Sequence, residues 1–333
     1  MSESNYLQRL VDKAAKNVKT IVLPEGEDLR VLEAAHIINQ KKAAKLIVLG
    51  DENQVKSDCE KNGWDFDGVE IVNPNNSPKL QSYADMLFEL RKDKGMTPEQ
   101  ALATAKDANY FGVLMVKNKD ADGMVSGANH STADTVRPAL QIVKSKKKGK
   151  VVSSCFILIA DGEEYILSDC AININPTDVE MADIAMDSAE SAISFGIKPR
   201  VAMLSYSTYG SGKGESVDKV ASATKIAKGY LETDEYKDLG IELDGELQVD
   251  AALDDVVAKK KAPASKVAGK ANVLIFPNID AGNIGYKLLQ RLGHCEAYGP
   301  MLQGLNAPIN DLSRGALVED IVGTIAITSL QAK

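Results

Sequence analysis

Near the end of the chain a hydroxyl, a guanidinium and a carboxylate fall within eight residues. Ser313 and Arg314 lie in the turn Asn310-Asp311-Leu312-Ser313-Arg314-Gly315, and Glu319-Asp320 then opens a last apolar helix. A guanidinium and a hydroxyl can stabilise charge that builds on a carbonyl or phosphoryl oxygen. A carboxylate beside them can take a proton. The cluster also has a structural reading, in which Asp320 merely favours the positive end of the helix from its first turn.

A second candidate is Ser126-Gly127-Ala128-Asn129-His130-Ser131-Thr132-Ala133-Asp134-Thr135-Val136-Arg137-Pro138. A strand enters a turn rich in small and hydroxyl residues, and a helix begins. Backbone N–H groups and the Ser131 and Thr132 hydroxyls at such a helix start form a natural anion site. Arg137 could add a bidentate contact to phosphate. The alternative is an ordinary strand-helix turn with capping residues. His130 is no evidence for a catalytic triad, because the chain holds no G-x-S-x-G.

The third is Ser205-Tyr206-Ser207-Thr208-Tyr209-Gly210-Ser211-Gly212-Lys213-Gly214. It satisfies neither the P-loop nor the dinucleotide pattern: Gly214 stands where Ser or Thr is needed, Ser207 where a glycine is needed, and Glu215 where the last dinucleotide glycine belongs. A ligand-facing loop bearing Ser207 and a plain surface loop both remain open. The acidic stretch Asp244 to Ala252 lacks further oxygen ligands at calcium-loop spacing, so no metal site is expected.

The elements that must position these groups follow a strand-helix alternation. Thr20 to Leu23, Lys45 to Leu49, Val69 to Val72 and Gly123 to Ser126 read as strands. Helices are expected from Asp28, as N-cap, to Ile38, over Gln81 to Lys92, and from the capping box Thr97-Pro98-Glu99-Gln100. After the basic run Lys144 to Lys150, a solvated connector, Val151 to Ala160 and Tyr165 to Ile172 form a hairpin around Asp161-Gly162. A fresh series follows: helix Val179 to Ser194, strand Val201 to Ser205, helix Ser216 to Leu231, strand Asn272 to Phe276 and helix Ala281 to Leu292. The run Ile321 to Leu330 is a buried helix. This alternation gives an α/β fold with a largely parallel sheet.

With 333 residues, of which 44% are hydrophobic and 26% charged, two globular domains are the default. A net charge of −8 argues against nucleic-acid binding and requires any anionic ligand to find local cations. Cys59, Cys155, Cys170 and Cys295 form no C-x-x-C pair, which favours reduced, cytoplasmic thiols. The start MSESNYLQRLVDKAAK is a charged helical pattern unlike a signal peptide, and no apolar run approaches the ~20 residues that span a bilayer.

Eight segments, taken in order, resemble the phosphate acetyltransferase (phosphotransacetylase) family: Leu23-Pro24-Glu25, Glu89 to Lys92, Ser126 to Pro138, Met203 to Ser207, Asp244 to Ala251, Ala268 to Val273, Ala297 to Pro300 and Pro308 to Gly315. They span nearly the whole chain. The resemblance implies two α/β domains with an interdomain cleft that holds the active site, an architecture similar to the isocitrate and isopropylmalate dehydrogenases. One domain would comprise 1–145 plus 300–333 and the other 146–299. It further implies a homodimer, and a reaction between acetyl-CoA and phosphate giving coenzyme A and acetyl phosphate. Coenzyme A is then a substrate, and no cofactor is required.

By that resemblance Asp320 matches the general base toward the thiol, Arg314 the catalytic arginine and Ser313 its neighbouring hydroxyl. Arg91 and Arg137 match arginines that bind the anionic substrates. The helix-start and loop readings above add Ser131, Thr132 and Ser207 as expected substrate contacts. The family's usual helix cap is missing, because Ala316-Leu317-Val318 stands between Gly315 and Glu319. A lost cap costs ~1 kcal/mol. Direct attack by the thiol in a ternary complex is expected, since no motif marks an activated Cys or Ser nucleophile. Three rivals are a phosphate butyryltransferase, a decarboxylating dehydrogenase and a non-catalytic acetyl-CoA sensor.

Overall fold

The computed structural model describes residues 5–146 and 149–332. Residues 1–4 of the expected N-terminal helical pattern, and Lys147 and Lys148 of the basic run, lie outside the described residues. The chain divides into two compact units, Met1–Lys146 with Leu305–Lys333, and Lys147–Gly304.

Unit one opens with α1 (Asn5–Ala14), β1 (Thr20–Leu23), α2 (Leu29–Lys41), β2 (Lys45–Leu49), α3 (Glu52–Asn62) and β3 (Glu70–Val72). It continues with α4 (Leu80–Arg91), α5 (Pro98–Ala105), α6 (Ala108–Lys117), β4 (Gly123–Ser126) and α7 (Thr132–Pro138). Unit two holds β5 (Ser153–Ala160), β6 (Glu163–Ser168), α8 (Asp178–Phe195), β7 (Arg200–Leu204), α9 (Glu215–Leu231), β8 (Glu242–Leu247), α10 (Val249–Leu253), α11 (Asp255–Lys261), β9 (Val273–Ile275), α12 (Ile279–Arg291) and β10 (Glu296–Gln303). The chain then returns to unit one with β11 (Ile309–Asp311) and α13 (Val318–Gln331).

The strands of unit one run parallel in the order β3-β2-β1-β4-β11. Ile21, Val22 and Leu23 are fully buried, as a central parallel strand covered on both faces requires. The register sets Val22 beside Ile47 and Met124, and Asp311 beside Ser126. From β1 the chain proceeds outward to β2 and β3, then returns to β4 on the other side. Such a reversal leaves a crevice at the C-terminal ends of the strands, where α/β sheets bind ligands. Three loops emerge from adjacent strand ends there: 24–28 after β1, 127–131 after β4 and 312–317 after β11. The apolar helix α13 is buried from Ile321 to Ser329 and packs against α1, α2 and β4. That packing fixes the helix whose first turn carries Asp320.

In unit two the order is β10-β5-β6-β9-β7-β8, with β10, β5 and β6 antiparallel and the rest parallel. The β5–β6 hairpin turns through Asp161 (φ 52°) and Gly162 (φ 82°). Two positive φ angles match the twist of the flanking strands, as the Asp-Gly pair foretells. Strand β6 stops at Ser168 rather than continuing to Ile172, because the buried Asp169 carboxylate accepts the N–H groups of Ala171, Ile172 and Asn173 and turns the chain away. A domain boundary at 300 would cut β10, which pairs with β5 on both sides of that point (Tyr298 with Ile157, Gln303 with Ser153).

Candidate active site

The centre of unit one's crevice is an acid. Glu25 follows β1 and is 1% exposed. Its carboxylate accepts the backbone N–H groups of Gly127 and Ala128 on Oε2, at 3.0 and 2.8 Å, and of Asn129 and His130 on Oε1, at 2.8 and 3.0 Å. The His130 ring Nδ1 lies 2.7 Å from Oε1. Burial works against protonation of His130, but the Glu25 carboxylate, aided by Glu27 and Asp107, holds its pKa above the ordinary value. The amides expected to cradle a substrate phosphate are therefore turned onto a protein carboxylate. Ser131 and Thr132 are likewise engaged within unit one. The Ser131 hydroxyl donates to Asp134 at 2.7 Å and the Thr132 hydroxyl to Asp311 at 2.7 Å.

A second organiser is Asp28. Its Oδ1 accepts the Arg30 N–H at 2.8 Å and so caps α2, as expected. The same carboxylate binds the Arg30 guanidinium at both oxygens, Nε at 3.0 Å and Nη2 at 2.6 Å. Burial raises the Asp28 pKa, but Arg30 outweighs it and holds the carboxyl below its usual range. The guanidinium goes on to donate to the carbonyls of Ala128, Arg314 and Ala316, each at 2.9 Å.

The third loop begins at Asp311, a fully buried carboxylate. Burial pushes its carboxyl up to about 6 against the pull of the Thr132 hydroxyl, and the Glu25 charge adds to the rise. Its Oδ1 has no hydrogen-bond partner. A Cβ on Gly127 would stand 2.4 Å from that oxygen, and Gly127 has φ +114°. The close approach and the backbone angle both demand glycine there. Two residues on, Ser313 and Arg314 are exposed. The Ser313 Oγ accepts the Gly315 N–H at 3.3 Å, and the Ser313 carbonyl accepts the Ala316 N–H at 2.8 Å. The Arg314 guanidinium makes no hydrogen bond or ion pair among the described residues. Asp320 reaches back to the Leu317 N–H at 2.9 Å. That bond supplies half of a capping box where Leu317 has no cap of its own to offer, so the missing cap leaves Asp320 oriented.

Arg91 ends α4 and Arg137 lies in α7. Burial raises the pKa of the Tyr110 phenol, and the charges of Arg137 and Arg91 both pull it down, so both cations lie within electrostatic reach of that ring. The Arg91 Nε is buried without a hydrogen-bond partner. Ser207 belongs to unit two, where it is fully buried and its hydroxyl donates to Glu246 at 2.9 Å. The acidic stretch is also occupied internally. Asp244 binds Tyr209 (2.6 Å), Lys228 (2.7 Å) and Ser265 (2.5 Å), and Asp250 binds Lys261 at 2.8 Å. Among the described residues no group of three His, Cys, Asp or Glu could hold a metal.

Glu25, Asp28, Arg30 and Asp311 are the residues whose part in the site sequence reasoning passed over. Two signals were present: the four charges of Glu25-Gly26-Glu27-Asp28-Leu29-Arg30 crowd one strand-to-helix turn, and Asp311 sits beside Ser313 and Arg314.

With that geometry in hand, the relatives are informative. The family model described as phosphate acetyl/butaryl transferase matches residues 5–329. A phosphate acetyltransferase from Acetivibrio thermocellus is 51% identical over 336 residues, which is 99% of this chain and 98% of that protein. The solved EutD phosphotransacetylase from Staphylococcus aureus has a TM-score of 0.91 at 48% identity, covering 99% of each chain. A solved phosphotransacetylase from Streptococcus pyogenes has a TM-score of 0.91 at 47% identity, covering 100% of this chain and 99% of that one.

Proposed function

The chain belongs to the phosphate acetyl/butaryl transferase family, and from that membership we propose its reaction and the residues that carry it. It is an acyltransferase that moves an acetyl group between coenzyme A and inorganic phosphate. Asp320 takes the thiol proton, because a thiol of pKa ~8.5 is mostly protonated at neutral pH. The thiolate attacks the carbonyl carbon of acetyl phosphate. Arg314 and Ser313 donate to the oxygen on which charge builds, the bond from carbonyl carbon to phosphate oxygen breaks, and phosphate leaves as the thioester forms. Arg91 and Arg137 hold anionic groups of the substrates. Transfer is direct, within a ternary complex.

One observation carries this reading. A single turn and the helix start after it bear Ser313, Arg314 and Asp320, and hydrogen bonds donated by the Arg30 guanidinium and by the Leu317 N–H to Asp320 fix the backbone between them. Positioned groups of these types lower a barrier without reorganising during the reaction. The test is thioester formation from acetyl phosphate and coenzyme A, compared with butyryl phosphate at equal concentration. Faster reaction with acetyl phosphate is expected, and a preference for butyryl phosphate would move the chain to the butyryl side of its family. Labelled phosphate should not exchange into acetyl phosphate without coenzyme A. Such exchange needs an acyl-enzyme and would refute direct transfer.

The same reading makes the protein a cytoplasmic homodimer that needs no cofactor besides its substrates. All four cysteines are free thiols, which supports a reducing compartment. An apolar stripe along α12 and its C-cap supports the dimer: Ile284, Leu288 and Leu292 recur every fourth residue and are 58%, 51% and 76% exposed. A second copy covering that stripe would remove it from water. Light scattering should give twice the chain mass, falling to the single-chain mass with glutamate at 284 and 288.

A further inference from the structure

We propose that Arg30 is a positioning residue for the acyl-transfer step, setting the Ser313–Ala316 turn through its carbonyls while touching no substrate itself. The inference rests on the reaction proposed above and adds a residue to it.

A guanidinium carries five N–H donors in a fixed planar fork and no acceptor. In Arg30 all five are used. Nε and one Nη2 proton go to Asp28, the other Nη2 proton to the Ala128 carbonyl, and the two Nη1 protons to the carbonyls of Arg314 and Ala316. No donor remains for a substrate anion, so the residue cannot serve as one more phosphate-binding arginine. The acceptors come from three loops that leave neighbouring strands β1, β4 and β11. Arg30 therefore spans 284 positions of sequence to reach Arg314 and 286 to reach Ala316.

The two Nη1 bonds matter most for chemistry. They hold the carbonyls on either side of Gly315, and so fix the backbone that directs the Arg314 side chain. Asp28 keeps the fork from rotating by binding it at two points. Glu25 holds the Gly127–His130 loop from below, so the Ala128 carbonyl is itself a fixed anchor. Lysine cannot replace this arrangement. Its ammonium has three donors on a flexible stem and no plane, so at least two of the five acceptors would lose their partner.

The experiment compares the full-length wild type with Arg30→Lys and Arg30→Ala, measuring kcat and KM for coenzyme A and acetyl phosphate by thioester formation. Circular dichroism melts report the folded fraction, and all rates are taken per folded molecule. Displacing a reacting group by ~1 Å costs ~10²-fold in rate. We expect kcat to fall by about that factor in both variants, with either KM changing less than about threefold, because binding groups keep their places. Ethylguanidinium added to Arg30→Ala should restore part of kcat, since its planar fork can refill the vacated site, whereas ethylammonium should not.

Three results overturn the inference: wild-type kcat per folded molecule in Arg30→Lys, a loss confined to the KM for coenzyme A, or no difference between the two amines. A wild-type chain that makes no thioester removes the reaction itself and this inference with it. An active wild type with fully active Arg30 variants removes only the role given to Arg30.

Discussion

Glu25→Gln is the sharpest test of how this site is built, because it keeps the size of the side chain and changes only its charge and hydrogen-bonding pattern. In the native structure each Glu25 oxygen faces two backbone N–H groups, and His130 adds a third contact to Oε1. Glutamine offers one oxygen and one NH2. Whichever way the amide turns, its NH2 meets two N–H donors at 2.8–3.0 Å, and neither can be satisfied. A buried donor left without an acceptor costs ~1–3 kcal/mol, so two give ~2–6 kcal/mol at the buried Gly127 and Ala128 pair and the lower part of that range at the part-buried Asn129 and His130 pair. Against a typical stability of ~5–15 kcal/mol, the variant should fold but be clearly weakened.

The assay is favourable, because Trp64 is the only tryptophan and lies in unit one. Its emission in urea follows that unit even if the two units unfold separately. The deficit should also depend on pH. The His130 pKa is raised in the folded state by its carboxylate partner. Stability from that pair is fully present below the unfolded value of ~6.5 and fades as pH rises through the folded value. The penalty of Glu25→Gln should therefore grow as pH falls from about 8 to about 6. A loss under ~1 kcal/mol at both pH values would show that the four amides find other partners at no cost, and the account of this loop would be wrong.

Arg314→Lys should leave the melting curve unchanged, since only the Arg314 carbonyl is used inside the protein, and should lower turnover ~10²–10³-fold. Turnover near wild type would remove Arg314 from the chemistry. Asp320→Asn keeps an acceptor for the Leu317 N–H, so the helix start survives while the proton acceptor is lost. The rate with coenzyme A should fall ~10²–10⁴-fold with a changed pH profile, and an unaltered profile would discard the residue as base. For Asp311, the folded pKa of about 6 lies above the unfolded value, so its contribution to stability declines as pH rises through that interval. Asp311→Asn should gain on wild type by up to ~3 kcal/mol between about pH 4 and pH 7, and a constant difference across that range would contradict the burial argument.

The regular elements were legible where one local rule decided them. Asp28 caps α2, Thr97 and Gln100 form the capping box of α5, and Asp161-Gly162 turns the hairpin. Other elements were not singled out, although Asp51 and Asp107 cap α3 and α6. Helix α6 is apolar on nearly every side, from Phe111 to Val116, because it is enclosed all round, so it shows no periodicity. Strand β10 is interrupted by Gly299-Pro300, where its register with β5 shifts, and proline argues against a strand. Ser313, Arg314 and Asp320 stood out because they cluster in sequence, but the cluster alone reads equally as a helix start, and the roles proposed for them come from the family resemblance. Glu25, Arg30 and Asp311 did not stand out, because their significance lies in contacts more than a hundred residues distant, as between Glu25 and His130 or Thr132 and Asp311.

The same contacts resolve a tension in the composition. A chain of net charge −8 is proposed to bind substrates that are themselves anions. The loops show where part of that negative charge goes. Glu25, Asp169 and Glu246 are each buried and each accept backbone N–H groups of an adjoining loop. Their charge is answered at short range by amides and hydroxyls, and it faces inward. What it removes is the loop amides themselves, which elsewhere would bind phosphate. In the proposed site, anion recognition falls to side chains, and Arg30 is unavailable because its five donors are taken. The proposal gives that task to Arg137 on α7 and Arg314 on the third loop, together with Arg91 at the end of α4. Guanidinium recognition is planar and directional where an amide nest is diffuse. The acids that stiffen the loops thus also make the proposed site depend on arginine geometry, which is why exchanging Arg314 for lysine should cost so much at equal charge.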